Sequence, residues 1–254
     1  MILAIDIGNT NIVIGCLEKD DVAFVERVST DTGKTELEYV VQLKMVLDLH
    51  GIEKDSIRGS IISSVVPPLT TVIRSALVKF LGDDPMIVGP GVKTGLNILM
   101  DNPASVGTDL IVNAVAGNKY YGSPLIMIDM GTATTVSVLD QKANYIGGMI
   151  LPGVRVSLDS LVNRTSQLPK IALEMPKKLV GRNTIDSMKA GIMVGQASAL
   201  DGILERMWDE LGYETGVVAT GGLAPAIIPC CRHEIILDNE LTLKGLGLIY
   251  EKNL

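Results

Sequence analysis

The sequence predicts an α/β protein built from two copies of one topology, and three observations predict it. Hydrophobic residues make up 47% of the chain, against 20% charged and 4% aromatic. That is apolar area enough for a substantial core, which disordered chains lack. Short runs of Ile, Val and Leu bounded by Gly, Pro, Asn or Asp alternate with stretches at helical spacing. The opening segment also returns: Ile128-Asp129-Met130-Gly131-Thr132 can be laid over Ile5-Asp6-Ile7-Gly8-Asn9 at an offset of 123 residues, from Asp6 to Asp129. Two strand–Asp-x-Gly–hairpin starts make an internal repeat that chance seldom produces.

Residues 2–5 read as a short buried strand ending in Asp6; Gly8-Asn9-Thr10 turns the chain, and 12–17 is the hairpin partner. Residues 22–28 give a third strand, and 36–50 carry Leu37, Val40, Val41 and Leu47 at helical spacing. A fully apolar strand follows at 59–63, Pro67-Pro68 opens a helix to about residue 81, and 86–88 is another short strand. An irregular stretch runs from Gly89-Pro90-Gly91 through Asp101-Asn102-Pro103. Gly107-Thr108-Asp109 then leads into a helix carrying Leu110, Ile111, Ala114, Val115 and Asn118. A boundary is expected near 121–124, giving domains 1–121 and 122–254. The second half then offers strands from 125, at 134–139 and at 144–150, a helix at 154–162, and one long or two broken helices over 184–211. A strand at 216–220 ends in Gly221-Gly222, Ala224 starts a short helix, 234–237 is a strand, and 243–250 closes with a helix.

The formal net charge is −7, which disfavours nucleic acid and anionic membrane, because each phosphate contact needs a Lys or Arg. Lys170, Lys177, Lys178 and Arg182 fall close together and read as a solvated face. Cys16, Cys230 and Cys231 show neither a Cys-x-x-Cys spacing nor a plausible disulfide pair. His50 and His233 fall at a helix end and in a loop, with no catalytic pattern around them. The N-terminus opens into a strand with no basic segment before it, so no signal peptide is expected. No apolar stretch approaches the ~18 residues of a membrane span. The expected location is the cytoplasm.

Chemistry is expected at the glycine turns. A tip of Gly8, Asn9 and Thr10 presents backbone N–H groups, a hydroxyl and an amide beside the Asp6 carboxylate, which suits a phosphate and its metal ion. Taken alone it is equally an ordinary hairpin whose Asp and Asn build the turn. The echo at Asp129-Met130-Gly131-Thr132, with further hydroxyls at Thr134 and Thr135, favours a nucleotide held by two such turns in a cleft between the domains. Ala219-Thr220-Gly221-Gly222 reads by itself as a plain strand–helix connection, with bare backbone on which adenine or ribose could lie. Asp109 is either a helix-start carboxylate stabilised by the helix dipole or a base.

These three segments resemble the two phosphate motifs and the adenosine motif of the superfamily containing sugar kinases, actin and the chaperone ATPases. Almost end to end, the chain resembles the type III pantothenate kinases. The matching runs include Ser63-Ser-Val-Val-Pro67, Gly89-Pro-Gly-x-Lys-Thr-Gly-Leu-Asn97, Asp101-Asn-Pro103, Gly147-Gly148, Leu151-Pro-Gly153, Leu168-Pro169 and Gly181-Arg-Asn-Thr184. The resemblance implies two duplicated ribonuclease H-like, actin-like ATPase domains, each a mixed five-stranded sheet with helices, facing across a nucleotide cleft. It implies ATP-dependent phosphorylation of pantothenate to 4′-phosphopantothenate, the first step toward coenzyme A, by a homodimer. Asp6 would hold Mg²⁺ with ATP, and Ile7, Gly8, Asn9, Thr10, Asn11, Ile12, Val13, Thr132, Gly221 and Gly222 would line the nucleotide. Asp129 would bind a monovalent cation, K⁺ or NH₄⁺. Asp109 would be the general base on the primary hydroxyl, and Met100, Gly107, Thr108, Leu110 and Thr184 would meet the pantothenate.

Two positions depart from the family. It usually reads Gly-Ala-Asp-Arg where this chain has Gly107-Thr108-Asp109-Leu110, and tends to place Tyr where Met100 stands. A leucine cannot replace the charge-assisted hydrogen bonds of a guanidinium. Arg155 and Arg164 are the candidate substitutes. The departures keep two alternatives open: a nucleotide-binding accessory or regulatory protein with a degenerate acceptor site, and a kinase for another small hydroxylated acceptor.

Overall fold

The apolar run at the N-terminus becomes the central strand of a sheet. The computed structural model describes residues 1–19 and 21–254, and these divide into two units, Met1–Tyr120 with Glu240–Leu254, and Tyr121–Asn239. In the first unit β1 (Ile2–Ile7), β2 (Asn11–Glu18) and β3 (Asp21–Ser29) form an antiparallel meander. Then come α1 (Glu36–Leu49), β4 (Gly59–Ser64), α2 (Pro67–Leu81), β5 (Met86–Ile87), the short β6 (Asn97–Ile98) and α3 (Thr108–Tyr121). The sheet order is β3-β2-β1-β4-β5, with β1–β4 and β4–β5 parallel.

β1 is covered on both faces, which is why it reads as a continuous apolar run. Leu3, Ile5 and Ile7 share a core with Tyr39 and Leu43 of α1 and Leu69 and Ile73 of α2. Ile2 and Ala4 on the other face pack with Ile61 and with Val112 of α3. The helices begin and end where local chemistry dictates. The Glu38 carboxylate accepts the Thr35 N–H at 2.7 Å at the start of α1. α2 opens on Pro67-Pro68 and stops at Gly82, whose φ of 83° is the left-handed region glycine tolerates.

The second unit repeats the plan. β7 (Leu125–Met130), β8 (Ala133–Leu139) and β9 (Asn144–Pro152) form a meander, followed by α4 (Val154–Arg164) and α5 (Thr184–Leu211). β10 (Gly216–Thr220), α6 (Ala224–Ile227) and β11 (Ile236–Leu237) complete it. Its five strands run β9-β8-β7-β10-β11, with β7–β10 and β10–β11 parallel, the same order and senses as in the first unit. Ile126, Ile128 and Met130 pack with Met188, Ile192 and Leu200 of α5. That burial keeps α5 one continuous helix of 28 residues despite Gly191, Gly195 and Gly202. Asn183 caps it by accepting the Asp186 N–H at 2.8 Å.

The closing helix α7 (Leu241–Lys252) belongs with the first unit, whereas the sequence placed residues 122–254 together. Its Leu243, Leu246 and Ile249 cover Ile2, Ala4 and Leu17. A Cβ on Gly245 would run into the Val112 carbonyl, so glycine there allows α7 to lie against α3. The strand expected at 234–237 shortens to β11. No helix among the described residues is long and apolar enough to cross a membrane.

Candidate functional site

Both Asp-x-Gly segments form tight strand-end turns, but the two differ by one residue. In the first, Gly8 N–H donates to the Asn11 carbonyl at 3.0 Å, and the ladder resumes at Ile7–Ile12. In the second, Gly131 N–H donates to the Ala133 carbonyl at 3.0 Å, and the ladder resumes at Met130–Thr134. Asp6 therefore stands opposite Val13, and Asp129 opposite Thr135.

Asn9, Thr10 and Asn11 are exposed at the first tip, while Asp6, Gly8 and Val13 are half-buried. Ile7 and Ile12 sit in the core, so only their backbone groups face the turn. The tip is anchored from β3's end: the Thr30 hydroxyl donates to the Gly8 carbonyl at 2.6 Å, and the Thr30 N–H to the Thr10 carbonyl at 3.0 Å. A Cβ on Gly8 would lie 2.9 Å from the Asn11 carbonyl oxygen, tighter than side chains accept.

At the second tip Thr132 is exposed, and its carbonyl accepts the Gly153 N–H at 3.1 Å. Thr135 is half-buried, whereas Thr134 is 1% exposed and points to the core face, its hydroxyl without a partner among the described residues. Of the three threonine hydroxyls read at this turn, Thr134's is thus turned inward. Gly221 lies against the same turn. Its φ is 97°, and a Cβ there would stand 2.5 Å from the Met130 nitrogen and 2.7 Å from Asp129 Oδ1. The Leu223 N–H donates to the Met130 carbonyl at 3.3 Å. The glycine turn after β10 and the Asp129 turn are therefore one cluster, and Gly222 is exposed beside it.

Asp109 occupies the first turn of α3, half-buried, with Oδ1 fully enclosed and unpartnered among the described residues. Burial pushes its carboxyl above the usual carboxylate range, opposed by the backbone N–H groups of Leu110 and of Asp109 itself. Gly107 leaves the room into which this carboxylate folds, for a Cβ there would collide with Oδ1. The Thr108 hydroxyl donates to the Ser64 carbonyl at 3.1 Å and lies 3.1 Å from Ser63 Oγ. Leu110 and Met100 are half-buried in the same unit. Thr184, exposed as the first residue of α5, belongs to the second unit, as do the exposed Arg155 and Arg164.

The donors suit hard cations. Each turn supplies one carboxylate with hydroxyl and backbone oxygens around it, and no group of three His, Cys, Asp or Glu that could hold a metal occurs among the described residues. Mg²⁺ characteristically binds through one or two carboxylates plus substrate phosphates rather than in an all-protein cage. The cysteines lie elsewhere and are unpaired; burial pushes the Cys16 thiol to about 12. His50 pairs with Glu26 at 3.0 Å and His233 with Glu205 at 3.2 Å, both outside the turns. Lys170, Lys177, Lys178 and Arg182 are exposed in the irregular segment before α5.

Three residues escaped the sequence reading of the site. Thr30 lay in a stretch read as a plain loop. Ser63 and Gly153 lay in runs that carried the family resemblance, but neither had a role. Each acts through a backbone contact or a hydroxyl pair that spans elements distant in sequence.

Known proteins place this architecture. A solved activator of 2-hydroxyisocaproyl-CoA dehydratase from Clostridium difficile, with bound ADPNP, shares the fold: TM-score 0.57 at 15% identity, over 98% of this chain and 92% of that one. Two type III pantothenate kinases are far more similar in sequence. The one from Brevibacillus brevis is 48% identical over 255 residues, covering 100% of this chain and 99% of that one. The one from Halalkalibacterium halodurans is 46% identical over 253 residues, covering 100% of both. The family model described as type III pantothenate kinase matches residues 2–206, so that both glycine hairpins, Asp109 and most of α5 fall inside the match, and the chain belongs to the type III pantothenate kinase family.

Proposed function

We propose that this chain transfers the γ-phosphoryl group of ATP to the primary hydroxyl of pantothenate, giving ADP and 4′-phosphopantothenate, and that Asp109 is the general base. The observation that carries the assignment of the base is the enclosed, unpartnered Oδ1 of Asp109 at a helix start joined to the end of β4. A buried carboxylate oxygen without a partner is costly, and that burial raises the proton affinity of the Asp109 carboxyl, which favours its taking a proton.

Phosphoryl transfer is mostly positioning and charge stabilisation. The backbone groups of Gly8 to Asn11 and the Asn9 and Thr10 side chains receive the nucleotide phosphates at one turn. Thr132, Gly221 and Gly222 receive the nucleotide at the other. Asp6 holds Mg²⁺, which neutralises phosphate charge when bound with ATP, and Asp129 holds K⁺ or NH₄⁺. Asp109 takes the proton as the hydroxyl oxygen bonds to phosphorus, and its raised proton affinity suits that task. Gly107, Leu110, Met100 and Thr184 border the acceptor. The working form is a cytoplasmic homodimer.

Purified protein with Mg-ATP, K⁺ and pantothenate is expected to release ADP and 4′-phosphopantothenate in equal amounts. Absence of turnover with either K⁺ or NH₄⁺ at saturating substrates overturns the assignment. Sedimentation at micromolar concentration tests the dimer.

A further inference from the structure

The Thr108 hydroxyl donates to the Ser64 carbonyl at 3.1 Å, and Ser63 Oγ lies 3.1 Å from Thr108 Oγ1. A hydroxyl carries one proton. With the Thr108 proton committed to Ser64, the proton between the two hydroxyls must come from Ser63, so the order is Ser63 to Thr108 to the Ser64 carbonyl. Ser63 is 0% exposed, so its hydroxyl depends on a protein partner. This chain of bonds joins the carboxyl end of β4 to the first residue of α3.

Asp109 follows Thr108 directly. The backbone groups that contact its carboxylate, Leu110 and Asp109 N–H, belong to the same helix start, and its Oδ1 has no partner among the described residues. The position of the carboxylate therefore follows the position of that helix start. Ser63 is also the register partner of Asp6, so any slip of α3 on β4 moves Asp109 relative to the first turn.

We propose that Ser63 and Thr108 are a positioning pair for phosphoryl transfer, their hydroxyls holding the start of α3 on β4 so that the Asp109 carboxylate meets the acceptor hydroxyl. This rests on Asp109 being the general base. Misplacement of a catalytic group by about 1 Å is enough to cost up to about a hundredfold in rate.

The test compares Thr108→Ala, Thr108→Ser, the double variant Ser63→Ala/Thr108→Ala and Asp109→Asn by steady-state kinetics across pH and by thermal melting. Thr108→Ala is expected to lower kcat about tenfold or more, to leave the KM for ATP unchanged, and to move the acidic limb of kcat to lower pH as the carboxylate loses its enclosed place. Thr108→Ser retains the hydroxyl and is expected to keep wild-type kcat and pH profile. Thr108→Ala also strands the buried Ser63 hydroxyl and so lowers the melting temperature. The double variant removes that stranded group and is expected to melt later than Thr108→Ala while staying slow. The positioning role is overturned if Thr108→Ala keeps the wild-type kcat and pH profile, or if the double variant regains kcat together with stability. Full activity in Asp109→Asn overturns the underlying base assignment instead. An inactive Asp109→Asn beside a wild-type-like Thr108→Ala overturns the pair alone.

Discussion

Asp6 and Ser63 are register partners in the parallel pair of β1 and β4, so their side chains leave the same face of the sheet. That face also carries Ile2, Ala4 and Ile61, packed with Val112 of α3. One strand end thus brings together the carboxylate proposed for Mg²⁺ and the serine that holds the helix of the proposed base.

Asp109 should show its burial in two measurements. A base works ionised, so kcat is expected to fall as pH falls through a carboxyl raised above the ordinary aspartate range by burial. Asp109→Asn is expected to lower kcat by about 10²–10⁴-fold. The stability sign runs opposite to activity. A carboxyl raised on folding contributes its stability in full below the unfolded value and loses it as pH rises through the folded one. At neutral pH Asp109→Asn should therefore melt at a higher temperature than the parent, the gap closing in acid. Equal melting at neutral pH speaks against an enclosed carboxylate.

Leu110 follows the base on α3, half-buried. Leu110→Arg restores the family's guanidinium, whose charge-assisted hydrogen bonds are each worth about 1.5–3 kcal/mol. The KM for pantothenate is expected to drop by about one to two orders of magnitude, with the KM for ATP unchanged. An unchanged pantothenate KM would show that another group already holds the acceptor carboxylate. A large gain from an inactive parent would instead favour a degenerate acceptor site.

Thr30 secures the first tip through its 2.6 Å bond to the Gly8 carbonyl. Thr30→Val keeps the shape and removes that bond, a loss of about 0.5–1.5 kcal/mol. The KM for ATP should rise by about two- to tenfold, the KM for pantothenate staying constant. ATP titration by calorimetry provides a direct check.

Gly221→Ala places a methyl against the Met130 nitrogen and Asp129 Oδ1 at a φ of 97°. Strain of about 1–3 kcal/mol is expected at such a backbone position, lowering the melting temperature. Because the push falls on Asp129, the concentration of K⁺ giving half-maximal activation should rise. Gly222→Ala, at an exposed glycine with nothing within 4 Å of the added Cβ, is the matched control for stability and should leave the melting temperature unchanged.

Much of the fold was legible because periodicity and punctuation agree. Pro67-Pro68 and Gly82 bound α2, and the segment read as 36–50 forms α1, although Leu37 and Val41, two of the residues whose spacing predicted it, are exposed and the core face is Tyr39, Leu43, Val46 and Leu47. The Asp6 and Asp129 turns were legible because each packs its polar groups within a few residues. The path of α7 was not, since an amphipathic helix at the chain's end carries no mark of which sheet it covers; the glycine at 245 that lets it approach Val112 has meaning only against that neighbour. The expectation of three hydroxyls at the second turn missed the pleat of β8, which sends Thr134 inward with Val136 and Val138.

By itself, the sequence determined the two-fold repeat of strand, Asp-x-Gly turn and meander, because hydrophobic period and turn chemistry are local properties of the chain. Tertiary structure decided that Thr30 anchors the first tip from 20 residues beyond Thr10. It also decided that Gly221 shares a cluster with Asp129, and that the Thr108 hydroxyl bonds to the end of β4. Those contacts join residues far apart in sequence, and only strand register and helix packing determine which of them meet.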